Sequence, residues 1–250
     1  MVLICRKKRY MLKRFLPVLV SLLFFSAAGA QSKSATIHFR SGIQFRNNNK
    51  FPEALAAFEK AISLNKKFDS AYVEMGNIYN RSGNIDHGIL NYKKALAVNP
   101  KYTEALVGMG KIYRDSRKNF DSALIYYNAA AKIDSTNKEI FYALAWIHNA
   151  KKEYDQAIPY AVKSLEIDNN YKPAYGELGH AYRATKKYTE AIEQFKKNLA
   201  VSVVDVVLLY SGYCYIELNN KESALQQYEE LNKINEKMAA ALKKKIDAMQ

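Results

Sequence analysis

The side chains that do chemistry in proteins are present in this chain, but their spacing leaves each without a collaborator. Four histidines, His38, His87, His148 and His180, are spread along the sequence. None has a Cys, a second His or an acid at metal-ligand spacing on one helical face. Gly108-x-Gly110-Lys111 imitates part of a phosphate-cradling loop, yet both glycines fall inside a helical stretch. The carboxylates are scattered, which suits solvated i,i+4 pairing rather than acid–base work. Cys214, between Tyr213 and Tyr215, has the setting of a small buried hydrophobe. No alternating strand pattern exists from which a Rossmann or hydrolase sheet could form. The expectation is a chain that is not an enzyme and that uses neither metal nor cofactor.

The elements that would carry a recognition surface are plainer. Over Asp69–Tyr102, Tyr72, Met75, Gly76 and Tyr79 form one helical stripe, and Ile85, Ile89, Tyr92 and Leu96 form another. Gly83 between them suits the left-handed residue that closes a helix, and Pro100 bars continuation. The stretch predicts two amphipathic helices folded back on each other. Its pattern recurs. A small residue followed three places later by an aromatic or His occurs at Gly42/Phe45, Gly76/Tyr79, Gly110/Tyr113, Ala145/His148, Gly179/Tyr182 and Gly212/Tyr215. A second small residue follows at Ala54, Gly88, Ala123, Ala157, Ala191 and Ala224, spaced by 34, 35, 34, 34 and 33 residues. Four places after each come Phe58, Tyr92, Tyr127, Ala161, Phe195 and Tyr228. Small slots let helices approach closely, and the large ring fills the adjoining hole.

This period and pattern resemble the tetratricopeptide repeat (TPR) family, over Ala35 to about Met238. The resemblance implies an all-α fold, a right-handed α-α superhelix of six helix-turn-helix repeats at 35–68, 69–102, 103–137, 138–171, 172–204 and 205–238. A C-terminal helix with Met238, Leu242, Ile246 and Met249 on one stripe would cap it, with a protein-binding helix as the other reading. Departures are local: Ala161 replaces an aromatic, a residue is gained near Arg117-Lys118-Asn119, and one is lost near Val201-Ser202-Val203. Slight irregularity of pitch is expected at those two junctions. Pro52 opens a helix where its missing N–H costs little, whereas Pro159 falls inside one and should remove a hydrogen bond.

In proteins of this family the first helix of each pair lines a concave groove. The groove face is then expected at the residues three before, one after and four after each first small residue. In repeats two and three these positions and their neighbours offer Asn77, Asn80, Arg81, Lys111 and Arg114, donors suited to carboxylates or the carbonyls of an extended peptide. Arg46, Asn149 and Arg183 occupy the four-after position elsewhere. Repeats four to six offer Tyr142, Trp146, His180, Tyr210 and Tyr213, flat surfaces suited to an apolar or aromatic anchor. The competing reading packs Trp146 between repeats and leaves the Arg and Asn residues to solvate helix ends. The lysine of chaperone-adaptor carboxylate clamps is missing, because all six three-before positions lack Lys and Arg.

The first thirty residues differ. Arg6, Lys7, Lys8, Arg9, Lys13 and Arg14 precede an apolar run from Phe15 to Phe25 and an Ala28-Gly29-Ala30 ending. That describes a secretory signal peptide cut between Ala30 and Gln31, the rival being an uncleaved anchor. The chain carries a net charge of +14, and +8 once those six cations are removed. No basic tract with interleaved aromatics stands out, so nucleic acid is not an expected partner and the membrane is met only through the signal peptide. The expectation is an exported scaffold, periplasmic or secreted, binding a protein or peptide segment in a bacterial envelope assembly. A glycan- or peptidoglycan-binding module is the alternative, and a regulatory arm separated from an enzyme a third.

Overall fold

The computed structural model describes residues 31–199 and 204–249. The signal-peptide reading and the residue lost near 201–203 lie outside them. The protein is all-α: every regular element among the described residues is helical. In order these are α1 (31–47), α2 (Phe51–Leu64), α3 (Asp69–Arg81), α4 (Ile85–Val98), α5 (Thr103–Lys111), α6 (Phe120–Ile133), α7 (Lys138–Ala150), α8 (Tyr154–Ile167), α9 (Lys172–Ala184), α10 (Tyr188–Leu199), α11 (Asp205–Glu217), α12 (Lys221–Asn232) and α13 (Glu236–Asp247). The chain divides into two units between Gly108 and Met109.

In the first unit the close approach of paired helices explains the glycines. A Cβ at Gly42 would sit 2.5 Å from the Phe58 ring, and one at Gly76 or Gly108 would lie 2.7 or 2.4 Å from Tyr92. Phe58 and Tyr92 are accordingly buried, with Ala54, Ala71 and Ala95 around them. The ring occupies the space a side chain would need, so the aromatic and the glycine form one packing unit.

The second unit repeats this with Gly110 against Tyr127 and Gly179 against Phe195, and with two variations. Where the ring is lost at Ala161, the facing small residue is Ala145 and not glycine, and both are fully buried. The volume removed from one helix is partly returned by the other. Around Gly212 the neighbour is Leu242 of α13, not the Tyr228 ring that the pattern predicts there. Tyr228 is only half-buried, because the last hairpin receives α13, whose Ala239, Leu242 and Ile246 are buried against Leu208, Ala224 and Leu231. Ala157 and Ala191 are both without exposure. Cys214 is buried too, and burial pushes its thiol up to about 12.

Turns within hairpins share one device. The amide five residues on donates to the carbonyl of Phe45, Tyr79, His148, Tyr182 or Tyr215, at 2.8–2.9 Å. A left-handed residue, Asn49, Gly83, Lys152, Lys186 or Asn219, makes that closure. The exception follows α5. A π-helical turn over Ile112–Ser116 absorbs the gained residue, and the closing bond, Asn119 to Tyr113, spans six residues. The insertion therefore sits inside the first helix of its hairpin, immediately before Arg117-Lys118-Asn119, near which the sequence places it. A helix accommodates one extra residue as a π-bulge without breaking. Helix α8 runs through Pro159, as expected.

Candidate functional site

Helices α7, α9 and α11 present one face of the second unit, and what each places there follows from its register. From α7 come Trp146, Asn149 and Ala150; from α9, Gly176, Glu177 and His180; from α11, Val206, Val207 and Tyr210. Phe195 and Val204 complete an open cavity of about 330 Å³. Gly176 lines it at the position where the other first helices carry Phe39, Val73, Val107, Tyr142 and Leu209, and a Cβ on it would lie 3.3 Å from the Asn198 side-chain nitrogen.

The cavity is apolar apart from three side chains. Asn149 is 5% exposed, and its amide nitrogen donates to both the Glu177 backbone carbonyl (2.9 Å) and the Glu177 carboxylate (2.8 Å). Two acceptors on that side fix which end of the amide is nitrogen. Its Oδ1 is then buried without a hydrogen-bond partner. Burial raises the Glu177 carboxyl above its ordinary value, opposed by the Asn149 hydrogen bond and by the charge of Arg114. Burial lowers His180, with the Arg183 charge acting the same way, so its ring is neutral near pH 7.

The aromatic rings of this face are engaged with cations of the chain itself. The Arg114 guanidinium lies 5.5 Å from the Trp146 ring while Nε and Nη2 donate to Asp115. Arg183 lies 4.2 Å from the Tyr210 ring, which also stacks on His180 at 5.6 Å. Phe120 meets Trp146 edge-on, and Tyr171 meets Tyr142 the same way. Burial pushes the Tyr142 hydroxyl up to about 12, with the Glu177 charge adding to it.

Of the residues expected to form the groove, this cavity gathers Trp146, Asn149, His180 and Tyr210. Tyr213 faces a second cavity, of about 360 Å³, with Arg183, Tyr188, Ile216, Glu217 and Lys245. Tyr142 and Arg114 stand beside the first. Lys111 is exposed. In the first unit Asn77 and Arg81 are exposed and Asn80 half-buried, while the Asn77 side chain accepts from the Tyr92 hydroxyl at 2.6 Å. Arg46 is ion-paired with Glu74. The three-before position is not a uniform groove lining: Phe39 packs on Phe58 and Phe68, and Val73 is buried.

Glu177 is the residue the register rule misses, since it lies two places before the small residue Gly179. A signal was available. Residue 74 is likewise glutamate two places before Gly76, and each glutamate meets the four-after residue of the preceding hairpin, 28 residues earlier. Arg183 meets Tyr210 by the same rule.

Helical hairpins at a 34-residue period, glycine against ring inside most of them and a first-helix face left open, are the marks of one family. Its family models match residues 73–138, then 138–171 and 173–200, then 206–235, each described as tetratricopeptide repeat. The chain belongs to the tetratricopeptide repeat family. Solved TPR structures share its fold. PilF of Pseudomonas aeruginosa superposes with a TM-score of 0.74 at 15% identity, over 86% of this chain and 99% of that one. PilW, titled a widely conserved type IV pilus biogenesis factor, gives 0.69 at 18% identity over 83% and 97%. YrrB, titled a TPR protein with an unusual peptide-binding site, gives 0.67 at 23% over 75% and 98%. A comparison with curated proteins finds no match. Among the described residues no group of three or more His, Cys, Asp or Glu is placed to hold a metal, and no helix is long and apolar enough to cross a membrane.

Proposed function

We propose that this TPR chain is an exported, non-catalytic scaffold whose first-helix face docks a segment of a partner protein in a bacterial cell-envelope assembly. One observation carries the docking reading. The face of α7, α9 and α11 holds an open cavity lined by Trp146, His180, Phe195 and valines, together with Asn149, whose buried amide oxygen has no partner. Apolar walls with a few convergent polar groups are the build of a binding site. Export is supported by the basic head, apolar run and small-residue ending of residues 1–30. The envelope setting is supported by the likeness to a pilus biogenesis factor, and segment binding by the likeness to a TPR protein with a peptide-binding site.

Glycan binding requires ring faces free to stack on sugars, whereas Tyr210 and Trp146 already carry Arg183 and Arg114. Soluble cell-wall fragments should leave the melting temperature unchanged. Photo-crosslinking from positions 150 and 206, both exposed at the cavity, in the native cell tests the docking reading. Protein adducts that disappear with Tyr142→Ala plus Trp146→Ala, at unchanged helical content, are the expected result. Adducts insensitive to the double substitution would oppose it. N-terminal sequencing tests export, with Gln31 as the expected first residue.

A further inference from the structure

Two hairpin junctions place a glutamate at the same register, and only one supplies it with a cation. In the first unit Arg46, four after Gly42, donates Nη1 to Glu74 while Nε and Nη2 go to Asn47. In the second unit the position of Arg46 is taken by Asn149, and the position of Glu74 by Glu177. Asn149 contributes a neutral amide, so among the described residues Glu177 has a hydrogen bond but no ion pair. Arg114, the one cation that acts on it, has two of its donors held by Asp115. Glu177 and Asn149 both line the cavity, which brings together a carboxylate and an amide whose Oδ1 has no partner among the described residues. A buried acceptor without a partner is costly, and so is a buried charge without its opposite.

We infer that the cavity of α7, α9 and α11 receives an arginine side chain from the partner polypeptide, its guanidinium shared between the Glu177 carboxylate and Asn149 Oδ1. This rests on the docking reading and names what is docked. The guanidinium is chosen because the chain uses that group itself on Glu74 and because a planar fork serves two acceptors at once. Its methylene stem fits the apolar side formed by Val206, Val207 and Phe195.

The single tryptophan of the chain, Trp146, borders the cavity and reports on it directly. The blocked tripeptide acetyl-Ala-Arg-Ala-amide is titrated into the protein while Trp146 emission is followed, beside peptides with lysine, citrulline or glutamate at the centre. The arginine peptide should give a saturable shift, with citrulline, its neutral near-isostere, and glutamate about tenfold weaker or worse. Glu177→Gln should bring the arginine peptide down to the citrulline level while circular dichroism and melting temperature show an intact fold. Citrulline or glutamate binding as well as arginine overturns the inference, as does a preference that survives Glu177→Gln or silence from all four peptides at about 10 mM. Lysine matching arginine overturns the guanidinium and keeps the cation. Equal binding of every peptide removes the selectivity but leaves the docking face standing, and the crosslinking above judges that face on its own.

Discussion

Arg46 with Glu74 in the first unit and Asn149 with Glu177 in the second are the same construction with one residue changed. Both glutamates sit two places before a glycine, both meet the preceding hairpin four places after its small residue, and both are largely covered. The first pair is closed: its charges satisfy each other and nothing is left for a ligand. The second is open, because an amide has replaced the guanidinium. A repeat frame therefore makes a lock or a site at one register, and the choice lies in a single side chain.

The comparison presumes equally firm frames, and the largest effects test that. Ala54→Glu in the first unit and Ala157→Glu in the second each force a charge between closely packed helices. Each should cost about 3 kcal/mol or more in urea unfolding. Tolerance of either would mean that the two frames differ and that the register in that unit is misread. Next, Glu74→Gln and Glu177→Gln should act with opposite sign. Removing Glu74 leaves Arg46 unpaired and should cost up to about 1 kcal/mol at pH 7, the modest value of a partly exposed pair.

Removing the Glu177 charge should stabilise instead. Its folded-state value is raised above the ordinary 4.5. Its favourable contribution is therefore complete below 4.5 and is lost as pH rises through the raised value. The melting temperature of Glu177→Gln should match that of the wild type in acid, below 4.5, and exceed it increasingly towards pH 7. A variant less stable than wild type at pH 7 would show that the acid already has its counter-charge. The smallest effect sharpens the comparison most. Asn149→Arg rebuilds the first-unit pair in the second, and should raise stability by about 0.5–1 kcal/mol while abolishing the response to the arginine peptide. Retained binding would move the site elsewhere.

The repeat itself was open to inspection in the sequence because close packing leaves a chemical trace. Gly42 and Phe58, or Gly179 and Phe195, recur at fixed spacing since neither can change alone. Trp146, Asn149 and His180 were reachable for the same reason, as positions counted from the small residues Ala145 and Gly179. Glu177 was not, since counting residues on one helix cannot reveal a contact made with the hairpin before it. That needed the 28-residue offset seen between Arg46 and Glu74. The π-turn at Ile112–Ser116 was hidden too, because one extra residue can enter a loop or a helix and the sequence does not say which. Leu242 in place of Tyr228 at Gly212 reflects the arrival of α13, an end effect that a repeat pattern cannot hold.

The open state of Glu177 is measured most directly by following its side-chain carboxyl carbon by NMR as a function of pH, with and without acetyl-Ala-Arg-Ala-amide. In the free protein it should titrate above 4.5, and the peptide should bring it down as the guanidinium arrives. Titration at or below 4.5 in the free protein, unmoved by the peptide, would mean that this acid is no more open than Glu74, and the contrast between the two units would be gone.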